Sequence, residues 1–189
     1  MDNKIYKLLI DKGAIMEGHF VLTSGLHSNK YVEKFRILED PKALSLICKE
    51  MASKYLDKNV DIVVSAAIGG ILISSGVARE LGVKGIFCER VNGEMIFKRG
   101  FSIPEGANVL VVEDIVTTGG SIKEILEILS FLNINLVGVC TLAHRGELIN
   151  FGCNYNTLVN IDIETWEDDK VPAWLEQIPI TKPGSRFIK

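Results

Sequence analysis

One stretch of the sequence sets two acids, a hydroxyl-rich glycine turn and a helix start in immediate succession. In VLVVEDIVTTGGSIKE (Val109 to Glu124), four apolar residues run into Glu113 and Asp114. Ile115 and Val116 then lead to Thr117, Thr118, Gly119, Gly120 and Ser121, and an amphipathic segment follows. A glycine pair tolerates positive φ and lets backbone N–H groups come close to an anion. The hydroxyls of Thr117, Thr118 and Ser121 add donors, and a helix N-terminus behind them adds about half a positive charge. This is a phosphate cradle, but it lacks both the Gly-Lys-Ser/Thr of an ATP-binding loop and the GxGxxG of a dinucleotide fold. Its distinguishing feature is the acid pair in front. Carboxylates accept hydrogen bonds from vicinal hydroxyls and counter positive charge on a sugar ring. A ligand with a phosphate at one end and a ribose in the middle has the matching shape. The plainer reading of the same residues is a strand end with solvated acids and a tight turn.

A second turn has related character. SAAIGGI (Ser65 to Ile71) ends an apolar strand in Ala67 and Ile68 and opens a helix at Gly69-Gly70. Its backbone suits either close packing or an anion. Two further groups of residues offer cations and hydroxyls. FCERVNGEMIFKRGFSI supplies Arg90, Lys98 and Arg99, and LTSGLHSNKYVEKFRI supplies Ser24, Gly25, Ser28 and Lys30. Arg145 follows another apolar run, with His144 read as a loop side chain beside it.

These residues need a scaffold, and the hydrophobic pattern predicts one. Ile5, Leu8 and Leu9 mark a short first helix ended by Gly13. A helix is expected from Pro41 to about Tyr55, with Leu44, Ile47, Cys48 and Met51 on one face. DIVVSA, VKGIFCE, NVLVVED, NLVGVCTLA and TLVNIDI read as strands, separated by helices over GGILISSGVAREL and GGSIKEILEILSFL. Fully apolar strands alternating with amphipathic helices predict a parallel sheet covered on both faces. The fold class is α/β. In such sheets ligands bind beyond the carboxyl ends of the strands, where both turns are expected. The region 89–104 breaks the rhythm and reads as a loop or exposed hairpin. The C-terminal stretch reads as a short closing helix and an irregular end, with Trp166 and Trp174 in packing roles.

Composition narrows the classes. The 189 residues suit one domain, and 47% hydrophobic against 24% charged residues leaves ample material for a core. The 21 basic and 24 acidic residues nearly cancel, which argues against a nucleic-acid backbone as partner. Cys48, Cys88, Cys140 and Cys153 form no CxxC pair and have no His at ligand spacing, so a zinc site is not expected. No run approaches the roughly 18 apolar residues of a spanning helix, and the N-terminus mixes charges into its apolar positions. The expected setting is soluble, cytoplasmic and reducing.

VVEDIVTTGGS resembles the phosphoribosyl pyrophosphate signature of the type I phosphoribosyltransferases. The LTSGLHSNKYVEKFRI segment and Arg145 in TLAHRGE resemble the orotate branch of that superfamily, and the likeness runs from Gly18 to about Ile163. The resemblance implies a single domain over 1–189: a hood and base-binding segment over 1–40, an α/β core over 41–165 and a tail over 166–189. It implies that Glu113 and Asp114 hold the ribose hydroxyls, that residues 115–121 wrap the 5-phosphate, and that Ala67, Ile68 and Gly69 face pyrophosphate. Thr117, Arg145, Ser24 and Lys30 are then expected to bind orotate. Arg90, with Lys98 and Arg99, is expected on a mobile loop that closes over pyrophosphate and is shared across a homodimer. Mg²⁺ is implied as cofactor, held mainly through substrate oxygens and waters. The spacing of the charged loop resembles an orotate subgroup with a modified loop. Two family cations are missing: Thr23 and Gly69 stand where many orotate enzymes carry Lys. Other readings are a purine phosphoribosyltransferase and a non-catalytic sensor of phosphoribosyl pyrophosphate.

Overall fold

The computed structural model describes residues 4–22 and 24–181. An opening helix, α1 (Lys4–Asp11), buries Ile5 and Leu9. Strands β1 (Ile15–Val21) and β2 (His27–Val32) then pair antiparallel. A short helix, α2 (Phe35–Leu38), leads into α3 (Pro41–Ser53). The start of α3 follows from its sequence. Pro41 has no N–H to leave unsatisfied, and Asp40 caps by accepting from the N–H groups of Lys42 and Ala43 at 2.9 and 3.0 Å. Lys12 lies 2.6 Å from the same carboxyl, and the lysine with the two N–H donors holds it down to about 2.

The core alternates strands and helices as the periodicity predicts: β3 (Ile62–Ala66), α4 (Gly69–Leu81), β4 (Lys84–Val91), β5 (Glu94–Phe97), β6 (Asn108–Val116), α5 (Gly120–Ser130), β7 (Asn135–Arg145) and β8 (Tyr155–Ile161). The sheet order is β5-β4-β3-β6-β7-β8, parallel throughout except for β5, which folds back on β4. The turn between β4 and β5 is Asn92-Gly93, both at positive φ. That dipeptide is the usual two-residue hairpin turn, so the region expected as loop or hairpin is a hairpin at its start.

Alternation along β6 splits the core. Leu110 and Val112 join Ile47, Met51, Ile73 and Val77 of α3 and α4, while Val109 and Val111 join Ile122, Ile125 and Leu129 of α5. Each face of the sheet is thereby covered. Beyond β8 the chain returns to β1 and β2. Strands β9 (Thr165–Trp166) and β10 (Ile180–Thr181) complete a second sheet in the order β10-β1-β2-β9, with α6 (Ala173–Glu176) between them. The C-terminal stretch as far as Thr181 is thus part of the hood, while the irregular end expected after it, 182–189, lies outside the described residues. Trp166 and Trp174 pack edge to face at 6.0 Å. His19 and His27 link the two ends further. Their Nε2 and Nδ1 atoms lie 2.6 Å apart, His19 Nδ1 donates to the Ile178 carbonyl, and His27 Nε2 is 2.9 Å from Asp168.

The helices are set close to the sheet at particular glycines. A Cβ on Gly76 of α4 would lie 2.3 Å from the Cys48 sulfur of α3. Alanine is ordinarily the better helix former by about 1 kcal/mol, yet here the overlap outweighs it. Gly76→Ala is expected to lower Tm by several degrees, and Cys48→Ala in the same chain to restore part of the loss, as read by thermal melts of the single and double variants.

Candidate functional site

The strand β6 outruns its neighbour. Its pairing with β3 ends at Val64 opposite Val111, whereas its pairing with β7 continues to Val116 opposite His144. Glu113 and Asp114 therefore sit within the strand, on a stretch paired to β7 only. The sheet order reverses at this point: from β3 the chain runs outward to β4, and β6 starts again on the other side. Such a switch point leaves a crevice between adjacent strand ends. A cavity of about 310 Å³ opens there, lined by Lys34, residues 66–69, Arg90, residues 113–122 and Glu124.

Both acids are buried, Asp114 to 1% exposure and Glu113 to 8%. Glu113 accepts a hydrogen bond from the Asp114 N–H at 2.9 Å, and Asp114 accepts one from the Ile115 N–H. Lys34 Nζ lies 2.8 Å from Asp114 Oδ2. Burial, with the Asp114 charge next to it, pushes the Glu113 carboxyl up to about 8. Space for the pair is made by residues without side chains. A Cβ on Gly69 would meet Asp114 Oδ2 at 1.8 Å, and one on Gly70 would meet Glu113 Oε1 at 3.0 Å and the Ser65 Cβ at 2.8 Å.

The turn after β6 fits an anion. Gly119 is the N-cap of α5 at φ +72°, and a Cβ there would also strike Phe151 and Ile149 at 2.8 to 3.0 Å. Glycine is required twice over, by conformation and by space. Thr117 and Thr118 are exposed and Ser121 is half-buried. The other glycine-containing turn, 66–69, carries a cis peptide at Ala67–Ile68 and hands over to α4 at Gly69.

The remaining expected residues divide. Arg90 lines the cavity mouth, donating to Glu124 at 2.8 Å and to the Gly93 carbonyl at 2.9 Å. Lys98 and Arg99 do not line it. They follow β5, and Arg99 pairs with Glu89 at 3.3 Å. Arg145 is also outside the lining, but register places it well: Val116 opposes His144, so Thr117 and Arg145 leave adjacent strands side by side. Burial lowers the Arg145 guanidinium from its usual value. His144 is not a loop side chain. It is fully buried at the end of β7, its Nδ1 2.7 Å from the Tyr155 hydroxyl and its Nε2 donating to the Glu147 carbonyl. That bond closes the turn that carries Arg145.

In the hood, Ser24 is exposed at a turn and accepts from the Leu26 N–H at 3.5 Å. The Ser28 hydroxyl is occupied by the carbonyls of Lys30 and Glu164, and Lys30 Nζ reaches toward the Tyr6 hydroxyl at 3.5 Å. None of the three lines the cavity, and Thr23 lies outside the described residues. Sequence reasoning missed Lys34 and Glu124. Lys34 carried no signal, since it stands in a charged run and reaches Asp114 only through the docking of hood on core. Burial pushes the thiols of Cys48 to about 11 and of Cys88 and Cys140 to about 12, which leaves no nucleophilic thiolate among these three.

Comparison with known proteins agrees with this geometry. The phosphoribosyl transferase domain family matches residues 36–151. An orotate phosphoribosyltransferase of a Thermoanaerobacter species is 42% identical over 97% of both chains. One of Caldicellulosiruptor saccharolyticus is 42% identical over 100% of both. The chain belongs to the orotate phosphoribosyltransferases. Solved structures share the fold: orotate phosphoribosyltransferase of Aeropyrum pernix has a TM-score of 0.68 at 24% identity, covering 83% of this chain and 93% of that one. The adenine phosphoribosyltransferase of Trypanosoma brucei has 0.66 at 17%, covering 84% and 80%. The fold is thus common to orotate and purine members, and the sequence relatives place this chain in the orotate family.

The buried acid pair gives a pH signature. A carboxyl raised in the folded state favours folding below its ordinary range, and that contribution is lost as pH climbs toward about 8. Glu113→Gln is expected to melt several degrees above the parent chain at pH 8 without ligands, with the gap closing toward pH 5. Melting curves across this range, with an unchanged gap as the contrary result, check it.

Proposed function

We propose that the chain transfers the 5-phosphoribosyl group of phosphoribosyl pyrophosphate to N1 of orotate, giving orotidine 5'-monophosphate and pyrophosphate. The observation that carries this reading is one cavity in which two buried carboxylates stand between two glycine-containing turns. One turn precedes α5 and suits the 5-phosphate; the other precedes α4 and suits the pyrophosphate.

Residues 117–121 hold the 5-phosphate through N–H groups and hydroxyls. Glu113 and Asp114 accept hydrogen bonds from the ribose hydroxyls, fixing the ring between the turns. The C1–oxygen bond breaks with its electron pair leaving on pyrophosphate, and the orotate N1 pair closes on C1 as the N1 proton departs. Positive charge on the ring at that moment is countered by the Asp114 carboxylate, and by Glu113 in its deprotonated form, a term that grows toward the transition state. Residues 67–69 face the leaving group, with Arg90 swinging from Glu124 to assist. Thr117 and Arg145 receive the base, Arg145 through the orotate carboxylate as a charge-assisted pair. Ser24, Lys30, Lys98 and Arg99 are assigned to the base and to the leaving group only if hood and hairpin close further over the cavity. Mg²⁺ fits this donor set: Glu113 and Asp114 line the cavity, and a hard cation takes one or two carboxylates together with substrate oxygens and waters. Bound there, it would neutralise charge on the pyrophosphate. We further propose a homodimer working in the cytoplasm. No described helix is long and apolar enough to cross a membrane.

A spectrophotometric assay with orotate, phosphoribosyl pyrophosphate and Mg²⁺, run beside adenine, hypoxanthine and xanthine, tests the reading. Orotate consumption requiring both substrates is expected; turnover of a purine alone would overturn it. Asp114→Asn should cut kcat by roughly 100-fold or more with folding intact. Arg145→Ala should raise KM for orotate about tenfold or more and leave that for phosphoribosyl pyrophosphate nearly unchanged.

A further inference from the structure

We propose that Lys34 is the pyrophosphate-binding cation of this active site, supplied by the hood in place of the lysine missing at Gly69. The inference rests on the reading above, that 66–69 is the pyrophosphate turn.

The geometry explains first why position 69 is glycine. Its Cβ would lie 1.8 Å from Asp114 Oδ2 and 3.0 Å from Lys34 Nζ. The volume that a side chain at 69 would enter is taken by the Lys34–Asp114 pair. A lysine cannot stand there while that pair exists, and the charge arrives from another element instead. The same measurement locates Lys34 Nζ at the first residue of α4, within the cavity lining. This places it on the β3 side of β6. Arg145, assigned to the base, ends β7 on the other side of β6. The ammonium group is therefore at the leaving-group end, at a helix start that also favours negative charge.

Lys34 is also accessible to an anion. Its side chain is 35% exposed, whereas Asp114 is buried at 2%. In this structure the ammonium offsets the charge of Asp114. When ribose hydroxyls take over as donors to Asp114, the ammonium is released toward an anion on the 66–69 turn. Lysine suits this exchange, being a compact charge on a flexible stem.

The test separates Lys34 from the rest of the site by ligand. Lys34→Gln keeps a hydrogen-bond donor near Asp114 and removes the charge. Calorimetric titrations of this variant with phosphoribosyl pyrophosphate, inorganic pyrophosphate (each with Mg²⁺) and ribose 5-phosphate are compared with the parent chain. Affinity for the first two is expected to fall roughly 10- to 100-fold, while ribose 5-phosphate binds as before or more tightly. Lys34→Arg should recover most of the loss. Equal weakening for all three ligands would make Lys34 a support for Asp114 alone, and no weakening would remove it from the site; either result overturns the proposal. Amine labelling of the parent chain read by mass spectrometry gives an answer that does not depend on a variant folding. Pyrophosphate should slow modification of Lys34 at least about fivefold, and an unchanged rate overturns the assignment. A parent chain that neither binds phosphoribosyl pyrophosphate nor consumes orotate would instead sink the reading of the function itself.

Discussion

Two neighbouring carboxylates buried at a strand end are the arrangement on which the rest of this structure depends. Adjacent acids out of water repel each other and lose hydration, so the fold must supply compensation or let one take a proton. It does both. Lys34 stands on Asp114, and Glu113 is pushed upward by burial and by its neighbour's charge. Even the small residues answer to this constraint, since Gly69 and Gly70 leave the room that the two carboxyl groups fill. A shorter β6 would lift both acids into solvent and end the coupling.

Lys34 reaches Asp114 only because the hood is a structure in its own right. Strands from both chain ends build it, with β9 and β10 flanking β1 and β2. The contacts of His19 and His27 to Ile178 and Asp168 fasten the C-terminal stretch to the N-terminal one. The tail therefore has a mechanical connection to the cavity. It braces the sheet from which the chain runs directly to Lys34, even though none of its described residues lines the site.

The legibility of the site followed the range of its interactions. The cradle from Glu113 to Ser121 was readable because chemistry and spacing lie within one strand, one turn and one helix start. The core strands and helices were readable for the same reason, through alternation and the 3.6-residue period. The Asn92-Gly93 turn carried a hairpin signal that the charged surroundings obscured. Lys34, the buried environment of His144 and the spent hydroxyl of Ser28 are products of long-range docking. Ser28 bonds Glu164, which lies 136 residues away, and no local pattern announces such a partner. Lys98 and Arg99 were assigned to the site through family likeness, and local pairing in the hairpin holds Arg99 elsewhere.

Three cations near the cavity are already engaged. Lys34 is paired with Asp114, Arg90 with Glu124 and Arg99 with Glu89. A polyanion entering the site therefore exchanges one set of partners for another, and its affinity is the difference between them. The Arg90 and Arg99 pairs join exposed arginines to half-buried acids and are worth little, so they yield readily. The Lys34–Asp114 pair is different, because removing the lysine alone would strand a buried charge. A ligand that brings both a diphosphate and ribose hydroxyls satisfies the lysine and the aspartate together. Pyrophosphate alone takes the lysine and leaves the acid exposed to that cost. A site wired in this way discriminates in favour of the complete substrate over its separated parts, without any contact dedicated to that purpose.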